Sequence, residues 1–212
     1  MNPVEQKDEP VVFVVDDNAD VRESLKALFE SVGLQCKVFD SPREFLNRAP
    51  ETAPSCLVLD VRLPEMSGLD VQTELARASR DIPTIMISGY ADIPMTVRAI
   101  RAGAISFLTK PLREQDLLDA VYDGIEKDRR RLSDKLKARD LRERYETLTP
   151  REREIFPLIT AGLLNKQIAA QVGLSEVTVK VHRHKLIVKL HAKGLPDLVR
   201  MADELGIQRP RT

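Results

Sequence analysis

The chain predicts an α/β doubly wound domain with a five-stranded parallel sheet, joined by a helical linker to a smaller all-α domain. Three observations carry this. Short apolar runs alternate with helical patterns through the first 125 residues, the pattern of buried parallel strands with crossover helices. Several of those runs end in chemically active side chains, as the carboxyl ends of strands in such sheets do. Charge also reverses along the chain. Residues 1–124 hold 13 Lys+Arg and 21 Asp+Glu, a net −8, and residues 125–212 hold 20 and 12, a net +8.

The elements follow in order. Val11–Val15 reads as the first strand and runs into Asp16-Asp17. Val21, Leu25, Leu28, Phe29 and Val32 then recur at helical spacing until Gly33. Gln35–Phe39 reads as a second strand, and Ser41-Pro42-Arg43-Glu44 opens a helix as a capping box with proline at its first position. Cys56–Leu59 runs into Asp60, and Ser67-Gly68-Leu69 starts the next helix. Thr84–Ile87 runs into Ser88, followed by Val97, Ile100 and Ala102 up to Gly103. Ile105–Thr109 runs into Lys110-Pro111, followed by Leu117, Leu118, Val121 and Ile125. The first domain therefore covers residues 10–125.

Residues 126–146 are dominated by charge, with 9 basic and 6 acidic residues and no glycine or proline. They read as a linker helix that could help pair two chains, since Leu118, Ile125 and Leu132 share a heptad position before Arg139 breaks the series. A mobile charged linker is the alternative. The last domain, 147–212, opens with a second capping box, Thr149-Pro150-Arg151-Glu152. Ile155, Phe156, Leu158 and Ile159 follow, up to Gly162. Ile168, Ala169 and Val172 mark a short helix, Gly173-Leu174-Ser175 a tight turn, and Val177, Val179, Val181, Leu186, Ile187 and Leu190 a longer helix. Leu195, Leu198, Val199, Ala202 and Leu205 form a last one. Two helices across a three-residue glycine turn make a helix-turn-helix.

Composition narrows the function. No apolar run approaches the roughly 20 residues needed to span a bilayer, and residues 1–10 lack a basic stretch followed by an apolar one, so a cytoplasmic protein without membrane contact is expected. Cys36 and Cys56 lie in strand-like segments without a Cys-x-x-Cys pattern and read as small hydrophobes in a reducing compartment.

The strand ends carry the chemistry. Asp16, Asp17 and Asp60 on one sheet edge repel one another unless a cation joins them. Hard oxygen donors of this kind suit a Mg²⁺ that keeps several waters. Asp60 retains an oxygen able to act as nucleophile toward phosphorus. Lys110 can neutralise charge on a transferring phosphoryl group, and the Ser88 hydroxyl can donate to it. Singly, an aspartate at a strand end is a helix cap and Lys110 a surface lysine; the five together are a site.

Asp16-Asp17, Asp60 with Leu63-Pro64-Glu65-Met66-Ser67-Gly68, Ser88-Gly89 and Thr109-Lys110-Pro111 together resemble the receiver domain of two-component response regulators. The resemblance implies a flavodoxin-like sheet of strand order 2-1-3-4-5, with Asp60 as phosphoacceptor and the backbone carbonyl of Arg62 in the Mg²⁺ shell. It further implies a cis Lys110–Pro111 bond, Lys110 on the phosphoryl group, and Ser88 and Phe107 as a switch pair.

The second domain is basic, with 11 basic and 6 acidic residues, and Lys180, His182, Arg183, His184, Lys185 and Lys189 fall on its longer helix. Ser175 is placed as that helix's N-cap, which leaves Glu176 to His184 toward a partner. Leu148-Thr149-Pro150-Arg151-Glu152-Arg153-Glu154, Gly162, Asn165-Lys166-x-Ile168-Ala169 and Thr178-Val179-Lys180-Val181-His182 resemble the LuxR-type helix-turn-helix of FixJ and NarL regulators. By that resemblance Lys180, Val181 and His184 reach base edges of double-stranded DNA, Thr178, His182 and Lys185 face phosphates, and the last helix pairs two such domains. Three departures stand out. His184 stands where relatives often carry lysine, Leu164 replaces a small polar cap and leaves Asn165 to do that job, and Pro157 should kink its helix.

The expected protein is a transcription regulator rather than an enzyme, with only slow self-phosphorylation and dephosphorylation at Asp60. A sensor histidine kinase, DNA, RNA polymerase and a second copy of the chain are its expected partners, the copy pairing on phosphorylation. A regulator that binds DNA independently of phosphorylation is the runner-up. An Asp-nucleophile phosphohydrolase is the third reading; Arg62 stands where such enzymes need an acid/base aspartate.

Overall fold

In the computed structural model, which describes residues 9–90, 92–208 and 210, each apolar run forms a strand. They are β1 (Val11–Val15), β2 (Gln35–Phe39), β3 (Ser55–Asp60), β4 (Thr84–Ser88) and β5 (Ser106–Thr109), all parallel in the order β2-β1-β3-β4-β5. Residues 1–8, part of the stretch read as lacking a leader, lie outside the described residues, as do Arg209 and 211–212 of the second domain.

Alternation along the strands feeds two apolar layers. Phe13, Val15, Leu57, Leu59 and Met86 face Phe45, Val71, Leu75 and Ala99 on α2 (Pro42–Asn47), α3 (Gly68–Arg77) and α4 (Ile93–Arg101). Val12, Val14, Val58, Ile85 and Ile87 face Leu25 and Phe29 of α1 (Ala19–Ser31) and Leu117, Val121 and Ile125 of α5 (Glu114–Glu146). Every residue of β1, β3 and β4 is consequently buried, whereas the edge strands β2 and β5 are only partly covered.

One local expectation needs correction. Ser41 caps α2, but its Oγ accepts from Arg43 N at 3.2 Å; the expected return bond from Glu44 is not formed among the described residues. Residues 126–146 are helical as one continuation of α5, which spans 33 residues. Along its charged part, i,i+3 and i,i+4 side-chain pairs support the helix. Arg131–Asp128, Lys137–Asp134, Arg139–Glu143 and Arg144–Asp140 supply them at 2.5–3.2 Å, and Leu141 is buried in the apolar core of the second unit. Leu118 and Ile125, two of the three heptad residues, pack into the sheet's second apolar layer. Asp128 is wholly buried and accepts from Ser55 N at 2.8 Å, Ser55 Oγ at 3.3 Å and Arg131 Nε at 2.7 Å.

The chain divides into two units after Leu132. The second contains α6 (Pro150–Thr160), α7 (Asn165–Val172), α8 (Glu176–Leu190) and α9 (Leu195–Glu204), around Ile155, Phe156, Ile159, Ile168, Val179, Leu186, Leu190 and Leu198. Both arms of the Thr149/Glu152 capping box are present, at 3.2 and 2.9 Å. The helix α6 continues through Pro157 to Thr160. Gly173 ends α7 at φ +67°, a conformation that other residues adopt only with strain, and so sets the turn into α8.

Candidate functional site

The register aligns Val15 with Leu59, Asp60 with Ile87 and Ser88 with Thr109. The residues that end β1, β3, β4 and β5 therefore meet at one edge. Lys110 is the centre of the cluster: its Nζ donates to Asp16 Oδ2 at 2.7 Å and to Asp60 Oδ2 at 2.6 Å. The remaining oxygens are held alike. Asp16 Oδ1 accepts from Asn18 N at 2.9 Å and Asp60 Oδ1 from Arg62 N at 3.0 Å. Each carboxylate thus sits in an Asx turn with one oxygen on the backbone two residues on and the other on the shared ammonium. The Lys110–Pro111 peptide is cis, as the resemblance implied.

One cation shared by two carboxylates leaves a charge imbalance. Asp16 is fully buried, and that burial pushes its carboxyl above the usual range against the pull of Lys110 and the Asn18 N–H. Burial would lower the Lys110 ammonium, yet its bonds to Asp16 and Asp60 outweigh this and hold it above the ordinary lysine value. Asp17 completes the group from the solvent side. One carboxylate oxygen from each of Asp16, Asp17 and Asp60 lies within 4.8 Å of the others. Three hard oxygens with one open side are the donor set that Mg²⁺ takes while keeping its waters, so these residues fit that ion.

Ser88 and Phe107 stand apart from the carboxylates in hydrogen bonding. The buried Ser88 Oγ donates to Tyr90 O at 2.6 Å and accepts from Tyr90 N at 3.3 Å. Phe107, half-buried on β5, packs against the layer that holds Met86 and Ala99. The Arg62 guanidinium lies 5.1 Å from the Tyr90 ring centroid.

The sequence marks Gly68 as a helix start and as the last residue of the segment after Asp60 that resembles a receiver. A Cβ there would meet the Asp60 carbonyl oxygen at 2.4 Å, and its N–H donates to Val61 O at 2.9 Å. Glycine lets the start of α3 close over the turn that carries Asp60. The glycine after Ser67 was a visible signal; the distance was not.

In the second unit, Ser175 caps α8, its Oγ accepting from Thr178 N at 3.1 Å. The Thr178 hydroxyl lies 2.8 Å from that same Oγ. Lys180, Val181, His184 and Lys185 are exposed, and His182 is half-buried with a shielded Nδ1 that has no partner among the described residues. Two basic residues of α8 serve the fold instead. Lys189 Nζ donates to Glu152 Oε2 at 2.6 Å and Thr147 O at 3.2 Å, and Arg183 Nη1 to Asn165 Oδ1 at 3.1 Å. Asn165 therefore does not cap α7. Leu164 occupies that position without a side-chain acceptor, and the Gln167 side chain accepts from its N–H at 2.8 Å.

Comparison with known proteins matches residues 12–122 to the response regulator receiver domain and residues 146–202 to the bacterial regulatory proteins of the luxR family. Nodulation protein W of Bradyrhizobium diazoefficiens is 50% identical over 95% of this chain and 89% of its own length. The transcriptional regulatory protein FixJ of Rhizobium meliloti is 39% identical over 90% and 94%. A solved structure of the response regulator StyR is 45% identical, covers 92% of this chain and 99% of its own, and superposes with a TM-score of 0.83.

Proposed function

Because the chain belongs to the response regulators that pair a receiver with a LuxR-type DNA-binding domain, we propose that phosphorylation of Asp60 by a sensor histidine kinase controls its binding to DNA. The receiver comprises residues 10–125, the linker 126–146 and the DNA-binding domain 147–212. The observation that carries this reading is the Lys110 ammonium bridging Asp16 and Asp60 beside Asp17.

A carboxylate oxygen of Asp60 attacks the phosphorus of a phosphohistidine. The P–N bond breaks, its electron pair stays on the imidazole, which takes up a proton, and an acyl phosphate forms. Asp16, Asp17 and Asp60, with the Arg62 backbone carbonyl, would hold a Mg²⁺, which would supply neutralising charge for the phosphoryl oxygens. Lys110 shifts from the carboxylates to the new phosphoryl group, which offers a stronger anion at the same place. Ser88 exchanges Tyr90 O for a phosphoryl oxygen, and Phe107 turns further inward behind it. Phosphate biases this two-state arrangement by the difference in its contacts between states. The face near residues 93–107 then pairs two chains. In the cytoplasm the paired protein binds DNA through Lys180, Val181 and His184 at base edges and Thr178, His182 and Lys185 at phosphates, and engages RNA polymerase. Turnover at Asp60 is limited to slow self-phosphorylation and dephosphorylation.

The test measures Mg²⁺-dependent labelling by a small phosphodonor, mass and DNA binding for wild type and Asp60→Asn. Wild type should take up one phosphoryl group, double in mass and bind DNA more tightly, and Asp60→Asn should do none of these. Persistent labelling of the variant overturns the acceptor assignment. Equal DNA affinity with and without phosphodonor supports phosphorylation-independent binding, and sustained phosphate release from a small ester supports a hydrolase.

A further inference from the structure

The side chains of α8 divide by direction. Val179, Leu186 and Leu190 are buried. At about 100° per residue, Val177, Val181, His184 and Val188 fall on a stripe on the opposite side, with Lys180 and Lys185 flanking it. The three valines are 73%, 47% and 56% exposed. Single exposed apolar residues are ordinary on protein surfaces, but three aligned on one helix between two lysines form a surface with an apolar middle and cationic margins. Protein-binding surfaces draw their energy from aromatic and arginine anchors, and this stripe has none. Compact branched methyls between ammonium groups match a DNA major groove, where thymine C5-methyls lie in the floor between two phosphate backbones.

We propose that Val177 and Val181 read thymine methyl groups, so that the bound DNA carries thymines at two positions under the first half of α8. The proposal rests on the DNA-binding reading above and gives a role to Val177, which the sequence placed in the apolar pattern and within the span Glu176 to His184 without a contact of its own. The two valines are four residues apart, about 6 Å along the axis or close to two base-pair steps. Val188 lies about 16 Å beyond Val177, outside the helix's N-terminal half that meets base edges in this type of docking.

The test uses the full-length chain treated with a small phosphodonor. Binding sites are selected from a random duplex library, and thymines in the selected site are replaced one at a time by deoxyuracil, which lacks only the methyl. Affinity, read by fluorescence anisotropy, should fall about fourfold at each of two positions, the loss of one buried methyl-sized group. Val177→Ala should abolish uracil sensitivity at one position and Val181→Ala at the other. Uracil duplexes that bind as well as thymine duplexes, or variants that keep both sensitivities, overturn the thymine reading while leaving DNA binding intact. If no duplex is selected at all, the DNA-binding reading fails and this inference with it. Val177→Ala that still binds the selected duplex unchanged but loses a protein partner would assign the stripe to that partner instead.

Discussion

Replacing Lys110 with methionine keeps an apolar stem of similar length and removes the ammonium that holds Asp16 at 2.7 Å and Asp60 at 2.6 Å. Hydrogen bonds to charged groups contribute roughly 1.5–3 kcal/mol each, and removing one partner of a buried ion pair costs about 3–5 kcal/mol. The Lys110 side chain is 23% exposed and Asp17 opens the cluster to water, which places the expected loss near the low end, about 3 kcal/mol. For a unit of this size that lowers the melting temperature by about 10 °C. The loss depends on pH. Asp16 already lies above the usual carboxylate range, and without the ammonium it moves higher. A carboxyl with a raised folded pKa costs stability while ionised, so the deficit is complete above that folded value. It shrinks as pH falls toward about 4, where the unfolded carboxyl also protonates. Mg²⁺ at about 100 times its dissociation constant should restore about 2.7 kcal/mol. Calorimetric scans of the full chain with a chelator, from pH 8 downward, and then with Mg²⁺, read all three effects. A variant as stable as wild type at pH 8 in chelator, or a deficit that does not change with pH, refutes the reasoning.

Three further predictions concern other contacts. Gly68→Ala places a Cβ 2.4 Å from the Asp60 carbonyl oxygen. It should destabilise by about 1–3 kcal/mol and slow labelling of Asp60 about tenfold or more; labelling at the wild-type rate would show that the turn adapts. Burial would raise the Glu152 carboxyl, but Lys189 and the Thr149 N–H and hydroxyl outweigh it and hold it below its usual range. Its stabilisation is therefore present above about pH 4.3 and lost as pH falls through the folded value. Glu152→Gln should cost about 1–2 kcal/mol at neutral pH, with a gap to wild type that closes in acid melts, and a gap still open at pH 3 would count against the pair. Leu164→Ser supplies the acceptor that the N-cap of α7 lacks and should raise the stability of the second unit by about 1 kcal/mol, or roughly 4–8 °C; an unchanged melt would mean that the Gln167 contact already suffices.

The strands and most helix starts were legible because they rest on nearest-neighbour chemistry. Val11–Val15 is apolar at every position since a parallel strand is covered on both faces, and Thr149 to Glu152 are close enough in sequence to bond each other. What was not legible depends on approach between distant segments. Nothing near Gly68 shows that the Asp60 carbonyl lies against it. Asn165 looked like a cap because its side chain suits one, but the Arg183 guanidinium, 18 residues on, claims its oxygen. The charged stretch after Ile125 shows little apolar period because ion pairs line much of the helix there, and its buried Leu141 meets apolar partners distant in sequence. Of the candidate site, the residue types and their shared edge could be read in advance, and the Lys110–Pro111 geometry followed the resemblance. That the lysine binds the acids directly, and that Ser88 is engaged with Tyr90, needed coordinates.

The buried Asp128 gives β3 an unusual status. This central strand of six residues ends in Asp60 at one end and begins at the other with Ser55, whose N–H and hydroxyl are fixed to a carboxylate of α5. A tie-rod anchored at both ends cannot slide to relieve load. Axial slip by one residue would also exchange the strand's two apolar faces. Under the proposed phosphorylation, the strand would hold the Asp60 carboxylate in place, and the change would be taken up at the side-chain contacts around it, those of Lys110, Arg62 N and Ser88.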